Sequence, residues 1–572
     1  MNIKTKIQNT ILEALRSLGI EATVITLEHP ADLNNGDYST NVAMAYAKQI
    51  GMNPRELAEK IVAEISARQD LAEIEKIEVA GAGFINFYLS REFFVGSVKD
   101  ILNKKENWGK NDLSNGKKIM VEYTDPNPFK PFHIGHLMTN AIGESIARVV
   151  EFSGAKTVRA NYQGDVGLHV AKAIYGLQNF GMPDENLSVS EKAQYIGVQY
   201  AKGSDEYENN PDAKSAIDAI NKKIYEKSDE EINKIYAWGR EVTLAAFEEI
   251  YSLLGTKFNH YFFESVMAPI GEKIVRANTP NVFEESDGAI VFKADKYNPK
   301  LHTRVFITSS GLPLYETKEI GLTMTKFEKE ENLDLSIVTT AIEQGEYMKV
   351  VQQAISLMHP DLEKKMKHIT HGMMRLASGK MSSRKGNVVT GESLLQDSMD
   401  VVREKVAERE LSAEEKENIA QTVGVAALKY SILRSSLGSD IIYDFEKSIS
   451  FDGDSGPYLQ YTAVRANGIH KKAEGEGICV AYTDIPSDIT VLEKTLYRFP
   501  EVVAHAYEQL EPHHIATYLT ELASAFNSFY GNTMIVNKND PYAPYRVALV
   551  SAFHTTMQNG LYLLGIKTPE KM

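Results

Sequence analysis

An apolar run from Ile119 to Tyr123 breaks into Asp125-Pro126-Asn127-Pro128, then into His133-Ile134-Gly135-His136 and a helix-like run from Leu137 through Val150. No other stretch restricts the fold of this chain so strongly. It predicts a buried strand, a tight turn and a helix in immediate succession. A nucleotide-binding α/β sheet sets phosphate groups at such a break, facing the free N–H groups and positive end of the helix. Gly135 keeps side-chain bulk off the turn, so that a ligand can approach the backbone. His133 and His136 can donate hydrogen bonds from above the phosphates. Two histidines three apart are also half of a metal site, but a metal needs further ligands. The chain has one cysteine, Cys479, and no H-E-x-x-H pattern, so neither a metal ligand set nor a structural zinc is expected.

At 572 residues the chain has room for about three to four domains with large cores. The lone cysteine excludes a disulfide framework and fits a reducing cytosol. No uncharged apolar stretch approaches the ~20 residues of a membrane span, and no secretory h-region is evident. A cytoplasmic enzyme without a membrane partner is expected. The net charge of −15 repels polyanions on average, but a nucleic-acid face needs only local positive charge. Such a window exists: Lys364, Lys365, Lys367, Arg375, Lys380, Arg384 and Lys385, with His368 and His371 between them.

Residues 1–102 read as a small α+β domain. Ile7, Ile11, Leu15 and Leu18 share one helical face, and Gly81 to Leu89 is a glycine-marked strand. The polar segment Asn103 to Lys118 reads as a linker. From 116 to 390 strands and helices alternate, the pattern of a parallel-sheet, Rossmann-type domain, with an acidic helical insertion at about 180–265. Residues 391–572 read as an all-α bundle, its last helix carrying Val550, Phe553, Met557, Leu561 and Leu564 on one face. The fold class expected is thus multidomain α/β with a helical C-terminal bundle.

Gly379-Lys380-Met381-Ser382-Ser383-Arg384-Lys385-Gly386 is a small-residue loop with three cations. A loop of this kind can close over a triphosphate and stabilise charge developing on departing pyrophosphate. Only a folded sheet could bring it to His133.

With both motifs in place the chain resembles the class I aminoacyl-tRNA synthetases and, more narrowly, the arginyl-tRNA synthetases over essentially its whole length. Four local matches carry the narrowing. Glu122 and Pro126-Asn127 precede Lys130-Pro131-Phe132-His133 with that family's spacing. Asn161-Tyr162-Gln163-Gly164-Asp165 resembles its second catalytic motif. Asp452-Gly453-Asp454-Ser455-Gly456-Pro457-Tyr458-Leu459-Gln460-Tyr461, followed by Arg465, resembles its helical anticodon-binding domain. The ending Gly560 to Ile566, then Pro569 and Met572, resembles its C-terminus.

The resemblance implies ATP-dependent activation of L-arginine to arginyl-adenylate. The arginyl group then passes to the 3′-terminal adenosine of tRNA(Arg), with AMP and pyrophosphate released. ATP, its accompanying Mg²⁺, arginine and tRNA are the implied ligands, and a monomer the implied state. Carried over, Glu122, Asn127, Tyr315, Glu319 and Gln344 form the arginine pocket, where a planar permanent cation wants carboxylate and phenolic partners. His133, Gly135, His136, Lys380, Met381 and Ser382 hold ATP. Lys130, Arg384 and Lys385 are the cations available where Ser383 replaces the family's second lysine, and Lys130, on the rigid turn, is favoured. Phe84 and Asn86 are implied to meet a splayed tRNA base, and Tyr458, Gln460, Tyr461 and Arg465 the tRNA at the other domain. Two further departures are Glu319 for an aspartate and Val166 for a tryptophan. The rivals are a small-molecule nucleotidyltransferase, usually shorter and without the helical tail, and a non-catalytic tRNA-binding paralogue, against which His133, His136 and Lys380 speak.

Overall fold

The computed structural model describes residues 3–68, 71–377 and 389–572. Two compact units result. One comprises Met1–Trp108, Arg465–Phe499 and Glu521–Met557, the other Gly109–Val464, Pro500–Thr520 and Gln558–Met572. The boundary at Trp108 falls within the polar segment read as a linker.

In the first unit, strands β1 (Tyr38–Thr40), β2 (Ile74–Ala80) and β3 (Phe84–Leu89) form an antiparallel sheet in the order β1-β3-β2. Gly83 turns the β2–β3 hairpin at a φ of 125°, and a Cβ there would lie 2.9 Å from the Pro54 carbonyl, so only glycine fits. Ile7, Ile11 and Leu15 of helix Ile3–Ser17 are buried with Leu57, Ile61 and Phe87; Leu18 is only partly covered. Tyr497 belongs to this core, packed among the rings of Tyr38, Phe93 and Phe94. Glu493 accepts from Arg91 at 2.6 Å and from the Tyr545 hydroxyl at 2.5 Å.

The second unit carries β4 (Lys118–Glu122), β5 (Lys156–Gln163), β6 (His260–Phe263), β7 (Glu284–Ser286), β8 (Ala289–Phe292), β9 (Arg304–Ile307), β10 (Leu335–Ala341), β11 (Met366–His371), β12 (Met374–Leu376) and β13 (Ile441–Tyr443). Five of these make a parallel sheet in the order β11-β10-β4-β5-β6. The chain leaves β4 toward β5 on one side and later returns to β10 on the other. The carboxyl ends of β4 and β10 therefore flank the crevice where such sheets bind ligands. The predicted strand and helix are β4 and Ile134–Phe152.

Two features differ from the sequence reading. The helical insertion consists of Val189–Asn209, Pro211–Glu226 and Glu230–Leu254, after which His260–Phe263 is already an edge strand of the parallel sheet rather than insertion. A run of four residues is too short to reveal itself by periodicity. Residues 284–307 form an antiparallel sheet, β7-β8-β9, inside a region read as purely parallel. Its hairpin turns at Asp287-Gly288, both with positive φ (49° and 79°), a strong signal for a tight hairpin.

The downstream helices divide between the units, and β13 pairs in parallel with β12, so the region is helical apart from one short strand. Val550, Phe553, Met557, Leu561 and Leu564 are all fully buried. The C-terminal turn locks onto two helices: Ser145 Oγ, on Ile134–Phe152, donates to Leu563 O at 2.8 Å, and Lys429 Nζ, on Ala413–Leu433, donates to Gly565 O at 2.7 Å. Among the described residues no helix is long and apolar enough to cross a membrane.

Candidate active site

The connection from β4 to helix Ile134–Phe152 is held in an uncommon backbone. Thr124, Asp125 and Phe129 all have positive φ (80°, 48° and 67°), each costing on the order of 1–3 kcal/mol for a residue with a side chain. Surrounding bonds hold them there. Asn140 Nδ2 donates to Thr124 Oγ1 at 3.0 Å, the Tyr162 N–H donates to Asp125 Oδ1 at 2.7 Å, and Phe129 is fully buried against Gly239. Strain sustained in this way belongs with sites where geometry serves chemistry.

His133 caps the helix, and its ring stacks on His136 with centroids 3.4 Å apart. The His133 N–H donates to His136 Nδ1 at 3.3 Å. That bond leaves the His136 proton on Nε2, pointing a donor away from the helix. Loss of water, the His133 ring and the Lys130 ammonium hold the His136 imidazole well below its ordinary value. His133, though exposed, is lowered to about 4 by lost hydration and by Lys130. Both are neutral donors at pH 7. Gly135 works differently from the expectation: a Cβ there would lie 3.0 Å from His133 Cε1, so the glycine makes room for the imidazole. Lys130 lies over the Tyr200 ring at 5.5 Å. His169, whose Nε2 meets Gly164 O at 2.8 Å, is lowered to about 3 by burial and by Lys130.

Asn127 reaches Gly164, where a Cβ would sit 2.2 Å from Asn127 Oδ1 and 3.3 Å from Glu264 Oε1. Glu264, the residue after β6, pairs with Lys318 at 2.7 Å in a buried ion pair. The Lys318 ammonium lies 5.2 Å from the centre of the exposed Tyr315 ring. Asn127, Lys130 and Tyr315 thus share one neighbourhood with His133.

Deeper, Glu122 is buried and pairs with the buried Lys326 at 2.7 Å. Glu319, on the same helix as Lys326, is buried with one carboxylate oxygen lacking a hydrogen-bond partner. Burial pushes its carboxyl up to about 7, with Lys326 opposing and Glu122 and Glu264 adding to the rise. Asp125 is raised well above its ordinary range by burial and by Glu122. Tyr162 and Tyr347 face this group, their hydroxyls raised by burial and by Glu122, Glu264 and Glu319. Four carboxyl groups, Glu122, Asp125, Glu264 and Glu319, thus stand against two ammonium groups, Lys318 and Lys326. A site with that imbalance favours a cationic ligand.

The remaining expected residues are scattered. Gln344 is exposed in the turn after β10, at the carboxyl end of the sheet. Lys380, Met381, Ser382, Arg384 and Lys385 lie outside the described residues. Just downstream of them, Gly391 N donates to Phe132 O at 2.8 Å, and a Cβ on Gly391 would press on His133 O at 2.8 Å. In the first unit Phe84 is exposed, but Asn86 is 4% exposed and accepts from Ser39 Oγ at 2.7 Å. It anchors the sheet inward rather than opening to a base.

On helix Gly456–Gly475, Tyr461 is exposed, and Arg465 Nη1 donates to Asn527 at 2.8 Å. Tyr458 is half-buried. Gln460 is fully buried, its amide donating to Thr422 O at 3.2 Å and Lys567 O at 2.6 Å. That places it inside the fold and not on a surface open to tRNA. Val166 is a core residue packed with Phe129 and Val170.

Sequence reasoning missed Glu264, Lys318 and Lys326. Glu319 and Lys326 are seven apart on one helix, so their shared face was readable. Glu264 had a signal only once β6 was recognised as a strand of the parallel sheet.

Three domain models and full-length relatives match this chain. The model of the class I (R) tRNA synthetase catalytic domain matches residues 97–445, that of the arginyl tRNA synthetase N-terminal domain 2–89, and that of the DALR anticodon binding domain 459–572. The arginine–tRNA ligase of Fusobacterium nucleatum is 34% identical, covering 97% of this chain and 95% of its own. That of Clostridium perfringens is 31% identical over the whole of both chains. The solved arginyl-tRNA synthetase of Thermus thermophilus shares the fold, with a TM-score of 0.80 and 24% identity over the full length of both. With the catalytic-domain match spanning more than half of its residues, this chain belongs to the arginyl-tRNA synthetase family of class I.

Proposed function

We propose that this chain charges tRNA(Arg), working as a cytoplasmic monomer. The arginine carboxylate attacks the α-phosphorus of ATP, which enters with its Mg²⁺. A P–O bond forms, the bond to the β-phosphate oxygen breaks, and pyrophosphate leaves with the electron pair. A ribose hydroxyl of the terminal adenosine then attacks the arginyl carbonyl, giving its proton to the medium as AMP departs. Such chemistry needs positioning and charge stabilisation rather than a protein nucleophile.

In this reading the neutral His136 donates from Nε2 to the phosphates, His133 beside it, and Lys130 supplies the cation that Ser383 does not. Asn127 and Gln344 hold the amino-acid end, and Tyr315 lies along the guanidinium. Because Lys326 already neutralises Glu122, Glu319 takes the guanidinium directly while Glu122 fixes the local field. The observation that carries the reading is the partnerless oxygen of Glu319 in a buried group with excess carboxylate, adjoining a phosphate-type helix start. The functional division that goes with it is a tRNA-elbow domain at 1–102, a catalytic domain at 116–390 and an anticodon-binding region at 391–572.

The test is pyrophosphate exchange with arginine, lysine and glutamine, with and without tRNA. Exchange driven by arginine alone among the three supports the reading. Exchange driven by lysine or glutamine, or none with tRNA present, overturns it.

A further inference from the structure

Far along the chain from His133, three histidines and a glutamate meet at a corner between two helices. Helix Phe499–Gln509 ends at Leu510, left-handed at a φ of 57°. The Glu511 N–H turns back to Ala506 O at 3.1 Å, and Pro512 opens helix His513–Asn532. The reversal lays His505 against His514, ring centroids 4.3 Å apart, while His513 and His514 lie 4.0 Å apart. Glu511 Oε2 is 3.0 Å from His513 Nδ1 and 4.0 Å from His514 Nε2. One donor atom from each of Glu511, His513 and His514 falls within 4.8 Å of the others.

The spacing is what a small tetrahedral ion requires. With bonds of ~2.0–2.1 Å, the donors at the corners of a tetrahedron stand ~3.4 Å apart, between the two distances found. The orientation agrees. His513 Nδ1 is buried and makes no hydrogen bond, although the carboxylate oxygen is only 3.0 Å away. A hydrogen bond needs an N–H aimed at the oxygen, whereas a metal needs lone pairs that converge on one point. The side chains of His513, His514 and Glu511 remain 20%, 29% and 32% exposed, and His505 is exposed, so an ion can enter from solvent. Imidazole and one carboxylate suit Zn²⁺ and its transition-metal neighbours. Mg²⁺ and Ca²⁺ take oxygen ligands, so the Mg²⁺ that accompanies ATP has no claim on this corner.

We propose that Glu511, His513 and His514, with the fourth position open to water, bind one Zn²⁺ ion that pins the corner between the two helices. The ligand pattern, a Glu-x-His-His, contains no cysteine and matches none of the common zinc spacings. That is why the sequence alone points away from a metal. The site is independent of the aminoacylation reading and far from its residues in sequence.

The test titrates ZnCl₂ and CoCl₂ into the full-length chain after chelator treatment. Calorimetry is expected to show one ion per chain, Co²⁺ to give the visible bands of a four-coordinate centre, and Zn²⁺ to raise the melting temperature. The paired substitution His513→Ala with His514→Ala should lower Zn²⁺ affinity by about 10²-fold or more, and Cys479→Ser should leave it intact. Glu511→Gln, close in shape, gives the same reading with less disturbance to packing. The proposal is overturned if the full-length chain takes up no stoichiometric ion, or if affinity is unchanged in Glu511→Gln and in the paired variant.

Discussion

The turn from Tyr123 to His136 and the block from Asp452 to Tyr461 both stand out in the sequence, and they differ in what their polar groups meet. Around the turn, three residues with side chains hold positive φ, two imidazoles are forced neutral, and a buried carboxylate oxygen has no partner. In the block, Asp454 accepts from Tyr430, Arg434 and Thr520, and the Gln460 amide nitrogen ties Thr422 to Lys567 while its oxygen has no hydrogen-bond partner. Polar groups bonded across their own chain stabilise architecture, whereas backbone strain and excess buried carboxylate gathered in one place mark where something else binds. The more specific motif is thus the more structural of the two.

That contrast can be broken by mutation. The largest expected effect is at the histidines: His133→Ala or His136→Ala lowers kcat for adenylate formation by about 10²–10³-fold, as for loss of a preorganised donor. The melting temperature should hardly move. Histidines that merely shape the turn would show the reverse, a lower melting temperature with full activity per folded molecule.

Glu319→Gln comes next. Leaving a guanidinium without its carboxylate costs on the order of 2–5 kcal/mol, read as a higher KM for arginine with KM for ATP unchanged. Glu122→Gln separates the two acids. It strands the buried Lys326, so its main effect is a stability loss of about 3–5 kcal/mol in denaturant unfolding. Equal shifts in arginine KM from both variants would refute the division of roles.

The smallest effect sharpens the other side. Gln460→Leu gives up two buried amide bonds, to Thr422 O and Lys567 O, a loss of about 1–3 kcal/mol. Arginine and ATP KM values should stay as they are. Unaltered stability with weakened tRNA binding would return Gln460 to the role the family resemblance implied.

Local patterns carried much of this architecture in the sequence. The strand, turn and helix around His133 were readable because periodicity and turn residues act over a few positions. The buried face of the last helix was readable for the same reason. The helices of the insertion announce themselves through Ser188, Asn210-Pro211 and Asp229 at their starts. What escaped depends on partners far away in the chain. A helical period says that Lys326 faces inward but not that Glu122, two hundred residues earlier, waits for it. Gln460 reads as polar and helical, and only the fold reveals that its amide nitrogen is taken up by Thr422 and Lys567. The Asp287-Gly288 hairpin had a local signal, overridden by the expectation of a purely parallel sheet.

The central claim is that the Glu319 carboxylate receives the guanidinium, and its raised pKa makes this measurable. Burial lifts the carboxyl from its ordinary 4.5 to about 7, so the empty site favours the protonated form. Its contribution to stability is full below the ordinary value and is lost as pH rises through about 7. Arginine selects the ionised form, so its binding strengthens over the same interval. Equilibrium binding of L-arginine at pH 6 and pH 8, in the unaltered chain and in Glu319→Gln, tests this directly. The account predicts roughly tenfold weaker binding at pH 6, with the pH dependence abolished in the variant. Equal affinity at both pH values, or a dependence that survives Glu319→Gln, would contradict it.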